Sequence, residues 1–366
     1  MMPIPGNTTP GRLARLIWLI GGAGLLCAAP HAFSRPRIAL AAKGCECANT
    51  SLVSALERVG GAEDPPRAHD PTMAYEHGKY YMYTTGPGIP FSVSTDLRHW
   101  KASGKALPAP FKWTSEAVSG SSDIYWAPHV VKYLDKWLMF YAVSTFGKNL
   151  SVIGVATNTT LNPESKEYAW KDAGAVVATH PGDTWNAIDP NFVVDAKGQP
   201  WLAAGSFWSG LKLIQLDPAT LHQTEGMSPA PIAGRPHTPD IRGAIEAPCM
   251  VQHGDYWYLF ASFDFCCRGI SSTYNVRVGR SKDIRGPYKD RAGVSMLEGG
   301  GTQVLAATER WKGPGHNGYL KVGKRELLAY HAYDATDNGM PKLQIADLTW
   351  DKDGWPRVTS TNGDIR

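Results

Sequence analysis

Three carboxyl groups stand just ahead of a proline at widely separated points of the sequence. Asp70 lies in "AHDPTM" and Asp189 in "AIDPNF", whereas Glu246, in "AIEAPCM", is one residue further from its proline. If the three groups share one apolar site, burial and mutual repulsion should spread their pKa values and leave a proton donor beside ionised neighbours. Hydrolysis of a glycosidic bond needs that arrangement, because one acid protonates the leaving oxygen and one base activates water.

A repeat relates these three positions to one another. After each proline come a strand, a short turn and an aromatic-rich strand, as in "HVVKYLDKWLMFYAVST" and "CMVQHGDYWYLFASF". The alternation of apolar and polar residues and the frequent turn signals predict an all-β protein. Equivalent positions recur after roughly 60 residues, which is the length of about four short strands with their connections. These positions are Asp70, Ala127, Asp189, Ala247 and His316, the last without a proline.

Five such units predict a five-bladed β-propeller, a single domain that covers residues 67–366. The first strand of each blade lines the central channel of a propeller, so equivalent residues of different blades converge on one mouth. Proline lacks an N–H and restricts the residue before it to extended backbone, which suits the start of such a strand. A single Asp-Pro is more often a turn, but three acids in register with a repeat predict a shared site.

The first 41 residues have the features of a secretory signal peptide. Arg12 and Arg15 precede an apolar run over residues 16–29, which is too short to span a bilayer as a mature helix. An uncleaved membrane anchor is the alternative interpretation. We interpret residues 42–66 as a leader segment and expect the mature protein to be secreted or periplasmic.

The charge of the mature chain argues against two classes of partner. The full sequence has a formal net charge of +4, and the predicted signal peptide carries four arginines and no acid. The mature chain is therefore formally neutral and has no electrostatic attraction for nucleic acid or an anionic membrane. We expect a monomer that is free of the membrane once the signal is cleaved.

The cysteines match no metal-binding pattern. Of six cysteines, Cys249, Cys266 and Cys267 lie in the predicted propeller, and their spacing fits no zinc site. The adjacent pair Cys266 and Cys267 forms either a vicinal disulfide or two unlinked thiols packed near Cys249. We expect no function from these cysteines.

Several sequence blocks together resemble glycoside hydrolase family 43, and within it the endo-1,5-α-L-arabinanases. The similarity runs from about residue 67 to the C-terminus and shows no departure at the acidic motifs. The blocks are "AHDPTM", "YWAPHVV", "STFGKN", "AIDPNF", "GSFWSG", "AIEAPCM", "SFDFCCRGISSTYNVRVGRS", "GGGT" and "GPGHNG".

The resemblance implies an inverting mechanism and assigns a role to each acid. Asp70 is the general base that activates water, and Glu246 is the general acid that protonates the departing sugar oxygen. Asp189 is ionised, orients Glu246 and keeps the pKa of Glu246 high. Inversion requires that the base and the acid stand ~6.5–9.5 Å apart, so that a water molecule fits between them.

The same resemblance assigns His316, in "GPGHNG", as the ligand of an ion on the propeller axis, usually calcium. Calcium prefers oxygen ligands, so a histidine is unusual in this role. The alternative is that His316 forms a hydrogen bond with Asp70, and the two interpretations are compatible. We expect no organic cofactor.

The residues expected to contact sugar are aromatic and polar. Sugars present flat apolar faces and hydroxyl edges, so their sites combine aromatic surfaces with a few fixed polar groups. The candidates are Trp126, Phe146, Asn186 and Ser206, and core packing is the alternative role for the two aromatic residues. His69 is a candidate to brace Asp70.

The leading hypothesis is a secreted endo-hydrolase that cuts the α-1,5-linked backbone of arabinan. An exo-acting α-L-arabinofuranosidase or β-xylosidase on the same fold is one alternative, although the sequence lacks the long extra β-sandwich domain of many exo-acting relatives. A non-catalytic carbohydrate-binding propeller is another, but it has no need for all three acids.

Overall fold

The computed structural model describes residues 64–360, which form five antiparallel β-sheets. These sheets are the blades of a β-propeller, so the predicted all-β, five-bladed architecture is confirmed. The predicted signal peptide and residues 42–63 of the predicted leader lie outside the described residues. Within residues 64–360, no helix has the length and apolar character that crossing a membrane requires.

The strands follow one another blade by blade. The first group is β1 (Thr72–Glu76), β2 (Lys79–Tyr83), β3 (Gly86–Pro87), β4 (Pro90–Ser94) and β5 (Lys101–Lys105). Strand β3 pairs with the second blade, and the other four form the first blade in the order β1-β2-β4-β5. After the short helix α1 (Lys112–Ala117), the second blade contains β6 (Ile124–Tyr133), β7 (Lys136–Val143), β8 (Ser151–Asn158) and β9 (Lys171–Thr179).

The remaining three blades each have four strands in sequence order. The third blade contains β10 (Asn191–Val194), β11 (Pro200–Ala204), β12 (Leu211–Gln215) and β13 (Ala230–Ala233). The fourth contains β14 (Ile245–His253), β15 (Tyr256–Phe263), β16 (Asn275–Ser281) and β17 (Thr302–Leu305), with 3₁₀ turns at Gly269–Ser271 and Met296–Glu298. The fifth contains β18 (Trp311–Val322), β19 (Arg325–Asp334), β20 (Met340–Trp350) and β21 (Pro356–Ser360).

The first strands of the blades form a closed ring. Strand β1 contacts β6 and β18, β10 contacts β6 and β14, and β14 contacts β18. Because each first strand touches the first strands of both neighbouring blades, their residues surround a common axis. This ring brings segments that are far apart in sequence to one place.

The hydrophobic core is divided among the five interfaces between neighbouring blades. Strand β7 shows how one strand serves two of them. Trp137, Met139 and Tyr141 pack in the cluster shared with the first blade, whereas Leu138 and Phe140 pack in the cluster shared with the third. Successive side chains of a strand point to opposite faces. A strand that is covered on both faces therefore has a continuous run of apolar residues in its sequence.

The five equivalent residues that begin the blades share an unusual backbone conformation. Each of them has a positive φ, between +41° and +59°. The expectation of extended backbone before the prolines is therefore wrong, since extended residues have negative φ. Non-glycine residues adopt this left-handed conformation at a cost and are held in it by the structure around them. The five residues are Asp70, Ala127, Asp189, Ala247 and His316.

In three blades this conformation coincides with a β-bulge. In the second blade, Trp126 pairs with Ala142 and His129 pairs with Phe140, so one extra residue is inserted into β6. Strands β14 and β18 show the same irregularity around Ala247 and His316. A bulge bends the strand and re-aims a side chain, which turns residues of the first strands towards the mouth of the channel.

The propeller ring closes through a short N-terminal segment. Pro66 O accepts a hydrogen bond from the N–H of Leu343, at 2.9 Å, and the N–H of Ala68 donates to Pro341 O, at 3.1 Å. The end of the predicted leader and the start of the predicted propeller thus pair with strand β20 of the fifth blade.

Candidate active site

A cavity of about 870 Å³ opens at the mouth of the channel. All eight residues predicted from the sequence to form the site line this cavity, although they come from all five blades. They are Asp70, Trp126, Phe146, Asn186, Asp189, Ser206, Glu246 and His316. The cavity is thus the place where the repeat brings its acids together.

Four groups hold Asp70 in place. Its Oδ2 lies 2.9 Å from Nδ1 of His69 and accepts a hydrogen bond of 2.6 Å from the Thr85 hydroxyl. Its Oδ1 lies 3.1 Å from Nδ1 of His316. The main-chain N–H of Asp70 donates to Nδ1 of His331, at 3.1 Å. Both carboxylate oxygens and the backbone are therefore fixed, and His69 braces Asp70 as predicted.

The two cavity histidines keep Asp70 ionised. Burial by itself would raise the pKa of Asp70, but the charges of His69 and His316 and their hydrogen bonds outweigh it and hold the pKa well below its ordinary value. Burial likewise opposes the charged form of His316, yet the carboxylates of Asp70 and Asp189 raise the pKa of His316 to about 9. Near neutral pH the site therefore holds an Asp70 carboxylate beside a His316 cation.

Glu246 is held by two hydroxyl groups. Ser206 Oγ donates to Oε2 of Glu246, and Tyr274 Oη donates to Oε1, both at 2.6 Å. Tyr274 is buried and packs against Gly315, where an added Cβ would come within 2.0 Å of the ring. Gly315 thus leaves room for the ring that positions Glu246.

Asp189 is buried beside the start of β14, and its surroundings favour the protonated form of its carboxyl group. Burial raises the pKa of Asp189 to about 8, and the carboxylates of Glu246 and Asp70 add to the rise. Its Oδ2 accepts the N–H of Ala247, the residue that follows Glu246, at 3.1 Å. This contact fixes the main chain next to Glu246, which is compatible with an orienting role. The raised pKa, whose main cause is burial, opposes the expectation that Asp189 is ionised.

The predicted sugar-contacting residues differ in exposure. Phe146 is 79% exposed at the rim of the cavity, and Trp126 is partly buried. Asn186 is buried, and its Oδ1 accepts a hydrogen bond from Ser151, at 2.6 Å. Ser206 is engaged with Glu246. Phe146 and Trp126 therefore present apolar surface to a ligand, whereas Ser206 acts on the acid.

Several residues of the site were not predicted from the sequence. Thr85, Tyr274 and His331 all contact one of the acids, yet none belongs to the first strand of a blade. Tyr274 lies in the "SSTYNVRVGRS" block, which was recognised only as part of the family resemblance. Thr85 follows the second strand of its blade, His331 lies within a second strand, and Tyr274 directly precedes a third strand, so no single sequence position marks such residues.

The cysteine question is decided by the structure. Cys266 and Cys267 form a vicinal disulfide, and Cys249 is a buried free thiol. Both linked cysteines line the cavity.

The residues around His316 do not form a ready calcium site. Nδ1 of His316 is occupied by Asp70, and the raised pKa of His316 gives it a positive charge near neutral pH. Among the described residues, the one group of three or more metal-ligand side chains is His69, Asp70 and His331, which does not include His316. Calcium prefers several oxygen ligands, so we derive no step through an ion.

The sequence pattern described as "Glycosyl hydrolases family 43" matches residues 65–356. The chain belongs to this family. This family 43 protein is a glycoside hydrolase.

Relatives and solved structures agree with this assignment. The extracellular endo-α-(1→5)-L-arabinanase 1 of Bacillus subtilis (strain 168) is 42% identical over 79% of this chain and 86% of its own. The extracellular exo-α-(1→5)-L-arabinofuranosidase ArbA of Cellvibrio japonicus (strain Ueda107) is 40% identical over the same shares. The structure of Cellvibrio cellulosa α-L-arabinanase complexed with arabinohexaose matches with a TM-score of 0.77 and 40% identity, over 81% of this chain and 96% of that one.

Proposed function

We propose that this hydrolase cuts internal α-1,5-L-arabinofuranosidic bonds of arabinan with inversion at the anomeric carbon. The names of its relatives support arabinan as the substrate, and so does the arabinohexaose bound in the Cellvibrio cellulosa structure. The cavity has the size and the mixture of aromatic and polar residues that a short run of sugars needs.

The observation that carries the proposal is that one cavity holds the three acids in different surroundings. Two histidines hold the pKa of Asp70 well below its ordinary value, burial raises the pKa of Asp189, and two hydroxyl groups hold Glu246. A hydrolase of this kind needs a base and a proton donor on opposite faces of the bond that breaks.

In the proposed mechanism, Asp70 accepts a proton from the attacking water while His69, His316 and Thr85 hold its oxygens in place. Glu246 delivers a proton to the departing sugar oxygen. Asp189, whose pKa is raised by burial, accepts the N–H of Ala247 and thereby orients the main chain next to Glu246.

The configuration of the newly formed sugar tests the mechanism. An inverting hydrolase converts the α bond to a β product, which NMR detects before mutarotation. A first-formed α product would show retention instead and would contradict the assignment of Asp70 as base.

Exo-action is a second candidate, because a relative that is 40% identical is named an exo-enzyme. The protein is incubated with linear arabinan and with nitrophenyl arabinofuranoside, and the early products are sized. Endo-action gives oligosaccharides of mixed length, whereas exo-action gives one short product from the first minutes. Retention on arabinan without any product would contradict both.

Secretion is also proposed, and so is an axial calcium ion beside His316 that water would mostly hold, since the described side chains there form no ready calcium site. The relatives are named extracellular, and residues 1–41 have the pattern of a signal peptide. A mature N-terminus found near residue 42 outside the cytoplasm supports secretion, and the full-length chain inside cells contradicts it. Metal analysis of the purified protein, with activity before and after a chelator, tests the ion.

A further inference from the structure

The vicinal disulfide forms part of the wall of the active-site cavity. Cys266 and Cys267 line it together with their neighbours Phe265 and Arg268. Arg268 lies over the Phe265 ring, with its guanidinium carbon 4.1 Å from the ring centroid. The disulfide is thus part of an ordered segment that faces the catalytic groups.

A short chain of contacts joins this disulfide to the proposed base. The N–H of Cys267 donates to Oη of Tyr333, at 2.7 Å. That Oη lies 3.2 Å from Nε2 of His69, and the Cys267 sulfur lies 3.8 Å from the same nitrogen. Nδ1 of His69 in turn lies 2.9 Å from Oδ2 of Asp70. Both the backbone and the side chain of Cys267 therefore abut the histidine that braces the base.

The backbone at Cys267 has a conformation that is compatible with a constraint from the disulfide. Cys267 has a φ of +66°, a left-handed conformation that a non-glycine residue keeps only when its surroundings enforce it. A bond between adjacent sulfurs is such a constraint. In the dithiol the two sulfurs repel at bonding distance and must separate, so Cys267 is free to move away from Tyr333 and His69.

We propose that the Cys266–Cys267 disulfide is a positioning element for the His69–Asp70 pair, and that its reduction disables hydrolysis while the propeller stays folded. This inference rests on the proposed function, since it takes Asp70 as the general base. A displacement of about 1 Å in a reacting group can cost about a hundredfold in rate. We therefore expect a tenfold to hundredfold loss of kcat.

The experiment uses a water-soluble trialkylphosphine as the reductant. The phosphine and one water molecule convert the disulfide to two thiols, and the phosphine leaves as its oxide with the oxygen of that water. Thiol titration before and after treatment counts the sulfurs released. The kcat and KM values on arabino-oligosaccharide and on nitrophenyl arabinofuranoside are then measured beside the thermal unfolding curve.

A double variant, Cys266→Ser with Cys267→Ser, is the matched control. It keeps Cys249, so an effect of phosphine on any other cysteine appears in it as well. We expect the reduced wild type and the untreated variant to share the low kcat on both substrates, with KM little changed and cooperative unfolding retained. Reoxidation restores kcat in the wild type only.

Three outcomes would overturn the inference. These are an unchanged kcat after both thiols appear, a rise in KM alone, and a loss of activity that parallels loss of the unfolding transition. Absence of hydrolysis by the oxidised wild type contradicts the proposed function itself. Normal hydrolysis that does not change when the disulfide is reduced contradicts only the proposed role of the disulfide.

Discussion

At the scale of single residues, the three acids of the site differ in the groups that surround them. The side chain of Asp70 contacts two histidines and a hydroxyl, that of Glu246 contacts two hydroxyls, and that of Asp189 accepts a backbone N–H. These surroundings lower the pKa of Asp70 and raise the pKa of Asp189.

The proposed acid and base should respond differently to the leaving group. Glu246→Gln should nearly abolish cleavage of arabinan and spare nitrophenyl arabinofuranoside, because an activated leaving group departs without a proton. Asp70→Ala should suppress cleavage of both substrates, since water activation is needed for each. Comparing kcat/KM on the two substrates checks this, and undiminished arabinan cleavage by Glu246→Gln would place the acid elsewhere.

The raised pKa of Asp189 predicts that activity is lost in alkaline solution. With its pKa raised to about 8, the Asp189 carboxyl is protonated below that pH and loses its proton above it. The kcat/KM value should therefore fall as the pH rises through about 8. On the acid side activity should persist, because the pKa of Asp70 lies well below its ordinary value. A profile of kcat/KM that rises steadily to pH 10 would contradict this distribution of protons.

Tyr274 should contribute to kcat/KM through the hydrogen bond of its hydroxyl group and through the position of its ring. Tyr274→Phe removes one donor from Glu246, and leaving a buried group without its hydrogen-bond partner costs about 1–3 kcal/mol, or roughly fivefold to hundredfold in kcat/KM.

Gly315→Ala should cost at least as much, because the added Cβ displaces the whole Tyr274 ring. Gly234→Ala is the control, since its Cβ would meet no described atom closer than 3.7 Å. Equal activity in Gly315→Ala and Gly234→Ala would argue against this role.

At the scale of elements, side chains of the first strands join neighbouring blades. Asn191 Oδ1, at the start of β10, accepts the N–H of Met250 in β14, at 2.9 Å. Thr72 Oγ1 in β1 accepts the N–H of Val130 in β6 over a longer distance, 3.4 Å. Each acceptor satisfies a buried backbone donor of the next blade, so these contacts fix the distance between first strands.

Asn191→Ala should destabilise the propeller without disabling the site. It leaves the buried N–H of Met250 without its partner, at a cost of about 1–3 kcal/mol. Thr72→Ala should cost less, because its hydrogen bond is longer. Denaturant unfolding measures both changes, and kcat per folded molecule should stay near the wild-type value. A larger loss for Thr72→Ala would contradict this ranking.

At the scale of the whole molecule, the interface between the fifth and first blades closes the ring. Its cluster contains seven buried apolar residues, the smallest number among the five clusters of the described chain. Charged groups lie near it. Asp334 is buried and lies 2.7 Å from Arg310 and 3.1 Å from Lys342, whose amino group also lies 2.5 Å from Asp64. The N-terminal segment and the last blade are thereby tied together.

This network predicts a loss of stability in acid. Hydrogen bonds from Arg310 hold the pKa of Asp334 well below its ordinary value, which is about 3.9 in an unfolded chain. The contribution of Asp334 to the free energy of unfolding is therefore complete above about pH 4 and is lost as the pH falls further. Asp334→Asn should lower the melting temperature at pH 7, and the difference from wild type should shrink at pH 3. A constant difference at both pH values would contradict the linkage.

The repeat made much of the site predictable. Because Asp70, Asp189 and His316 occupy equivalent places in different blades, their convergence followed from the repeat, and Glu246 and Trp126 one residue earlier converged with them. The left-handed backbone of these positions did not follow, because local preference before proline favours extended backbone. The bulges and the packed ring override that preference.

The sequence by itself determined the number of blades, the acids that face the channel and the family, because these depend on a period and on residue types within it. Only the tertiary structure decided which side chains outside the first strands reach the acids, that burial raises the pKa of Asp189, and that Cys266 is bonded to Cys267. These properties depend on the distances between side chains of different blades and on their burial, and a local sequence pattern contains neither.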